Sequence, residues 1–426
     1  MKTMTKKLLI PMLLLLTVGA AAQTSKKEIF KDIDRAGANY YPYPGPSQQV
    51  LTPAPAGYKP FYISHYGRHG SRYMEENDAS VHAIGKLDTA AQLGILTPKG
   101  AEVLEKLKIG YDNAWNRDGD LTRLGDRQHE AIARRMYDRF PELLSQPMKV
   151  DARSSTSGRC MISMFNFCEQ LQGLNPALAI TMAASNRDMR FVVRNERVKP
   201  KKTPVTKEYE TRVEALLAKE IDPSRFMKSL FTDVRKAESF IEPLGLMEAL
   251  YNVAGDLPNV PELNLSLTDV FTKEELFSIF KVGNAGILVS LGLVPGTTPV
   301  YLQVKEARDT IVATADRVIR TSGPALDLRF THDGTILPLA YLLGLKEAMG
   351  ATTNIENLYK TISIDKLIPM AANIQLVFYR KDGSDDVLVK FLLNENETSI
   401  PVKTDCAPYY HWNDVKRYWA EHPANQ

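Results

Sequence analysis

The chain has 426 residues, 44% of them hydrophobic and 24% charged, with a formal net charge of +3. That is globular composition, long enough for a sizeable core and for two or three domains. Three cysteines (Cys160, Cys168 and Cys406) exclude a disulfide framework.

Residues 1–22 read as a secretory signal peptide cut near Ala22–Gln23. Lys2, Lys6 and Lys7 precede an apolar run that closes on Ala20, Ala21 and Ala22. The run is short for a membrane span. Its removal takes away those three lysines and no acid, so the charge falls from +3 to about zero. A near-neutral chain gives no global argument for nucleic acid or, after cleavage, for a membrane. The expectation is an exported protein, periplasmic or secreted.

Residues 23–60, rich in Pro, Gly and Tyr, are expected to run extended over a surface. "FYISH" then reads as a buried strand, and residues 75–145 as helical segments. The clearest is "LTRLGDRQHEAIARRMYDRF", with Thr122 as its cap. "MKVDARSSTSGRCMISMFNFCEQL" repeats the order strand, polar turn, helix. That helix would hold Cys160 and Cys168 about 12 Å apart, too far for a disulfide. Residues 205–290 are mostly helical in pattern. "ALDLRFTHDGTILPLAYLLGL" gives the strand–turn–helix order a third time, and "NIQLVFYRKDGSDDVLVKFLLN" reads as a hairpin turning at Asp382–Gly383. Mixed strands and helices of this kind predict an α/β sandwich with an inserted, mainly helical domain.

The three strand-to-helix turns carry the chemistry. The first holds Arg68, His69 and Arg72; the second Arg153, Ser154, Ser155 and Arg159; the third His332 and Asp333. In α/β sheets such turns gather at the carboxyl ends of the strands, where helix N-termini offer N–H groups and a positive dipole end. Arg68, Arg72 and Arg153 would add planar forks that match phosphate oxygens. Arginines beside His69 favour its neutral form, which leaves a ring nitrogen free to attack as a covalent nucleophile. Gly70 lets backbone approach closely. A leaving alkoxide needs a proton, and Asp333 is the best-placed carboxyl, which points to an acidic working pH.

"RHGSR" followed far downstream by "HD" resembles the histidine acid phosphatases, in the branch that contains phytases and multiple inositol polyphosphate phosphatases. "LTRLGDRQ" (121–128) and "ARSSTSGR" (152–159) are similar to that family's helix start and second-arginine segment. The resemblance covers nearly the whole mature chain. It implies His69 as the phosphohistidine nucleophile, Asp333 as proton donor, and Arg68, Arg72, Arg153 and His332 as phosphate ligands. The inositol polyphosphate phosphatases carry His-Ala-Glu where this chain has His332–Asp333–Gly334, so the resemblance leaves the individual substrate open. The implied fold is a histidine-phosphatase-like sandwich, residues 23–75, 120–200 and 300–426, with a helical cap of residues 76–119 and 201–299.

The expected activity is hydrolysis of phosphomonoesters, inositol phosphates such as phytate leading, with neither metal nor organic cofactor. A phosphoglycerate-mutase-like transferase is a rival, as is a non-catalytic periplasmic protein that binds phosphate or sugar phosphates. Mere binding, however, requires neither a nucleophile nor an acid. Arg159 is read as a supporting residue, and His65 as packed in its strand. His82, His129, His411 and His422 show no metal-ligand spacing. Lys199, Lys201, Lys202 and Lys207 form a basic run that reads as a solvated loop or as a cationic rim for a multiply phosphorylated substrate.

Overall fold

The computed structural model describes residues 26–198, 202–297, 300–321 and 323–421. The expected signal peptide, Lys199, Lys201 and His422 lie outside them. One eight-stranded sheet organises the chain. Its strands are β1 (Tyr58–Arg68), β2 (Met148–Ser154), β3 (Leu178–Ala184), β4 (Ala325–Thr331), β5 (Asn373–Lys381), β6 (Val387–Leu393), β7 (Asn396–Thr398) and β8 (Tyr409–His411). They run in the order β3-β2-β4-β1-β5-β6-β7, with β8 also paired to β6. β1 to β4 are mutually parallel and the rest antiparallel.

Helices of ten residues or more are α1 (Asp78–Gln92), α2 (Pro98–Ala114), α3 (Arg123–Arg139), α4 (Gly158–Leu174), α5 (Pro204–Glu220), α6 (Pro243–Asp256), α7 (Lys273–Ser290), α8 (Lys305–Thr321), α9 (Asp333–Leu343) and α10 (Trp412–Glu421). Strand alternation divides the apolar side chains between two cores. Ile63, Val150, Leu328 and Val377 face α3 and α4, meeting Ile132, Met136, Phe167 and Leu171. Tyr62, Tyr66, Leu376 and Phe378 face the other way, into a larger core with Ile311 of α8, Leu337 of α9 and Trp419 of α10. Leu87, Leu107, Leu250 and Phe280, from the helices outside the sandwich, join that same core. The result is the expected α/β sandwich carrying further helices, and β1 is buried on both faces from Phe61 onward.

Four stretches depart from expectation. Residues 26–31 are α-helical and Ile33–Tyr40 form a 3-10 helix, so the chain is not extended there. The Pro-rich cluster begins only at Pro42. Upstream of it, Ala36, Gly37 and Ala38 are small enough to bury against α6, where a Cβ on Gly37 would stand 3.2 Å from the Gly255 carbonyl oxygen. β3, "LAITMAA", was not anticipated: its Ala, Leu and Met fit a helix as readily as a strand. β7 and β8 are three residues each, too short to show a period. All three cysteines are free, with Cys160 and Cys168 buried on α4.

Candidate active site

Parallel register brings the three turns together. Arg68 ends β1 opposite Thr331 at the end of β4, and the His69 N–H donates to the Thr331 carbonyl at 2.9 Å. On the other side of β4, the Ser155 N–H donates to the Phe330 carbonyl at 3.0 Å. α4 and α9 then start beside one another, with their N-terminal, positive dipole ends at the same end of the sheet.

The turn after β1 is clamped by the start of α3. Thr122 caps that helix through Gly125 N–H, and its own N–H and hydroxyl both donate to the Ser71 carbonyl, at 2.9 and 3.1 Å. Gln128 accepts from the Ser71 N–H at 2.8 Å and donates to its hydroxyl at 2.9 Å. Gly70 and Gly125 have no room for side chains. A Cβ on Gly70 would stand 2.5 Å from the Gly125 carbonyl oxygen, and one on Gly125 would stand 2.3 Å from that of Ser71. The motif "LTRLGDRQ" is thus the clamp on "RHGSR".

His69 is buried, and its Nδ1 lies 2.9 Å from the Gly70 carbonyl oxygen. A carbonyl only accepts, so Nδ1 carries the proton and Nε2 keeps its lone pair. Burial, then Arg68, His332 and Arg72, hold the ring well below the ordinary histidine range, hence neutral. His332 packs edge-on to it, with ring centroids 5.5 Å apart, and burial with Arg159 lowers its pKa to about 4. Ser155 Oγ lies 3.2 Å from His332 Nε2, and Cys160 Sγ lies 3.7 Å from the same nitrogen.

Arg68 is fully buried. Its Nη1 donates to the carbonyls of Asn39 and Ile368, and its Nη2 lies 3.0 Å from Asp333 Oδ2. Asn39 donates to the same oxygen at 2.8 Å, and Gly334 N–H donates to Oδ1 at 2.7 Å. Burial pushes the Asp333 carboxyl up, but Arg68, Asn39 and the Gly334 N–H outweigh it and hold it at about 2. Without bound anion, Asp333 is therefore a carboxylate. Arg72 lies over the Tyr40 ring, 5.0 Å from its centroid, and donates to the Tyr73 carbonyl. Arg159 pairs with Glu75. The Nε atoms of Arg68, Arg72 and Arg159 are buried without a hydrogen bond among the described residues. Unspent buried donors of this kind suit an incoming anion.

The structure gathers Arg68, His69, Arg72, His332 and Asp333, and leaves Arg153 elsewhere. Arg153 sits level with Arg329 in the β2–β4 pairing, one residue short of the end of β2 and two short of the end of β4. Asp151 holds it at 2.6 and 3.1 Å, and Asp188 lies 3.4 Å away. It lines a separate cleft with Lys149 and Arg317. The arginine that the second turn delivers to the site is Arg159, in the first turn of α4. Together with Arg194, Glu75, His332 and Asp333 it lines a cleft of about 480 Å³. Asn39 and Arg194 were not singled out by sequence, since neither stands near a motif. Arg159 stood in the quoted segment, four residues past Ser155.

The fold has clear counterparts among solved structures. The Bifidobacterium longum multiple inositol polyphosphate phosphatase, solved in complex with inositol hexasulfate, is 20% identical, with a TM-score of 0.69 over 91% of this chain and 98% of its own. The phytase from D. castellii is 15% identical, with a TM-score of 0.66 over 91% and 85%. The Hafnia alvei phytase is 13% identical, with a TM-score of 0.54 over 88% and 100%. At these identities the likeness is one of fold, and that fold is the one the "RHGSR…HD" resemblance implies. No family model matches the chain, and no curated protein does.

Proposed function

We propose that this chain is a phosphomonoesterase working through a phosphohistidine on His69, with inositol phosphates as its substrate class. The observation that carries the reading is the neutral, Nδ1-protonated His69 set among buried arginines with unspent donors. Nε2 attacks phosphorus, an N–P bond forms, and the P–O bond to the alcohol breaks. Arg68, Arg72, Arg159 and His332 hold the phosphoryl oxygens. Asp333 gives the leaving oxygen its proton, then as carboxylate takes one from the water that cleaves the N–P bond.

The depressed pKa of Asp333 is compatible with that role. A phosphate drawn to Arg68 and Arg72 offsets the charge that lowers it, and burial then raises it. The fold shared with the B. longum phosphatase and with the D. castellii and Hafnia alvei phytases supports the substrate class. Export through residues 1–22, and the division into a catalytic sandwich and a helical cap at the boundaries given above, belong to the same proposal.

The test is phosphate release from phytate and from an aryl phosphate, in chelator, from about pH 4 to 8. His69→Ala should lose at least about 10⁴-fold in kcat. Release from the aryl phosphate alone would keep the mechanism and remove the inositol assignment. Stoichiometric phosphate binding without turnover would replace the reading by a binding protein.

A further inference from the structure

Across the sheet from the strand-end site, the C-terminal loop brings a mixed donor set together. Asp405, Cys406 and His411 each offer one ligand atom, and these atoms lie within 4.8 Å of one another. The local chain is built to hold them. Thr404 Oγ1 donates to the Tyr409 carbonyl at 2.7 Å, and Tyr409 N–H donates to the Cys406 carbonyl at 2.9 Å, which closes the loop. His411 ends β8, which is paired to β6 and so fixed to the sheet.

The orientation of His411 is set from outside the loop. Its Nδ1 lies 2.9 and 3.0 Å from the two carboxylate oxygens of Asp386, just before β6, and Asp386 is in turn held by the Tyr58 hydroxyl at 2.8 Å. A carboxylate only accepts, so before an ion binds both nitrogens carry protons, Nδ1 toward Asp386 and Nε2 toward Asp405 Oδ1, 3.0 Å away. A carboxylate on one imidazole nitrogen, with the other facing a thiol and a second carboxylate, is the arrangement that metal-binding histidines use.

We propose that Asp405 Oδ1, Cys406 Sγ and His411 Nε2 form a three-residue site for a borderline-soft divalent cation, Zn²⁺ in the first place, with Asp386 and Tyr58 as its outer support. Sulfur, imidazole and carboxylate together suit zinc, and exclude magnesium and calcium, which take oxygen ligands. A tetrahedral ion with bonds of about 2.0–2.3 Å draws its donors to about 3.5 Å, a contraction that side-chain rotations supply. Water fills the fourth position. Binding takes the protons from Cys406 Sγ and His411 Nε2 and releases both to solvent, while Nδ1 keeps its own against Asp386. The sequence hid the site because Asp405-Cys406-x₄-His411 is no recognised spacing, and Asp386 comes from a different hairpin.

The site is structural and stands apart from phosphate transfer, so it can be tested without reference to that proposal. The mature chain is stripped with chelator, freed of it, and titrated with Zn²⁺ and with Cd²⁺. One equivalent should bind, Cd²⁺ should raise a thiolate-to-metal charge-transfer band, and Zn²⁺ should raise the Tm. Cys406→Ser should abolish the band and the Tm shift while phosphate release stays at the wild-type rate. Asp386→Asn should keep the band but weaken Zn²⁺ binding about 10–100-fold. Cys406 and His411 are partly exposed, so these variants should fold. No band with the wild-type chain, or a band that survives Cys406→Ser, would overturn the proposal. Wild-type Zn²⁺ affinity no better than that of Cys406→Ser would do the same.

Discussion

Two of the arginine–aspartate pairs along this sheet differ in almost everything except chemistry. Arg153 and Asp151 sit on one strand, two residues apart, at 2.6 Å, and the arginine stops short of the strand end. Arg68 and Asp333 come from different turns of adjacent strands, 3.0 Å apart, with the arginine fully buried. The first pair satisfies itself at the mouth of a cleft. In the second, the same aspartate also takes Asn39 and the Gly334 N–H, and His69 stands next in sequence to the arginine. Position along the strand decides which pair can meet a ligand, since only groups at the carboxyl end face the pocket where helix N-termini converge.

The sharpest way to break the comparison is to neutralise each acid. Asp333→Asn should lower kcat on an alkyl phosphate by about 10²–10⁴-fold, and by less on an aryl phosphate, whose leaving group needs little proton. Asp151→Asn should change either by no more than about twofold. Equal losses in the two variants would mean that the strand-end pair has no special role. The arginines give the next contrast. Arg159→Ala should cost about 10²–10³-fold in kcat/KM, as for loss of one donor to a developing charge, whereas Arg153→Ala should stay near wild type. A reversed order would restore Arg153 as the phosphate ligand.

A third test targets the clamp. Gly125→Ala places a Cβ 2.3 Å from the Ser71 carbonyl oxygen, so the turn or the helix must shift. Chemical denaturation should show a loss of about 1–3 kcal/mol, with kcat falling because the His69 turn moves. Wild-type kcat in a destabilised Gly125→Ala would detach the clamp from catalysis.

The smallest effect separates the strand interior from the strand end by pH. His65, on β1 four residues before His69, is buried with both ring nitrogens unpartnered among the described residues, and burial lowers its pKa to about 3. Its folded pKa lies below the unfolded value of about 6.5, so the unfolded chain takes up the proton first. The stability His65 contributes as a neutral ring is therefore present above pH 6.5 and is lost as pH falls from there toward 3. At pH 5 that loss is about 2 kcal/mol, from roughly 1.5 pH units below 6.5. His65→Leu should reduce the drop in unfolding free energy between pH 7.5 and 5 by that amount. An unchanged drop would assign the acid sensitivity to His69, His129 and His332, which are lowered in the same sense.

Much of this was legible in the residues. β1, β4, the β5–β6 hairpin, the Thr122 cap and the three turns all show local periods or breakers strong enough to read. What sequence does not carry is register. Arg153 and Arg159 are six residues apart in one segment, and only the pairing of β2 with β4 tells which reaches the pocket. Asn39 was hidden in the same way. It belongs to a helical turn at the start of the chain, and its partner Asp333 is nearly three hundred residues away. The donor set at Cys406 escaped because the carboxylate that orients His411 comes from another hairpin.

The contact between Gly70 and Gly125 has a practical consequence for anyone who would transplant or recombine this protein. The His69 turn and the helix start fifty-odd residues later meet backbone to backbone at Gly70 and Gly125, where neither position has room for a side chain. They behave as one machined part supplied in two pieces. A chimera that takes either piece from a distant donor inherits a mismatch that point mutations cannot file down, so a crossover must carry both or neither.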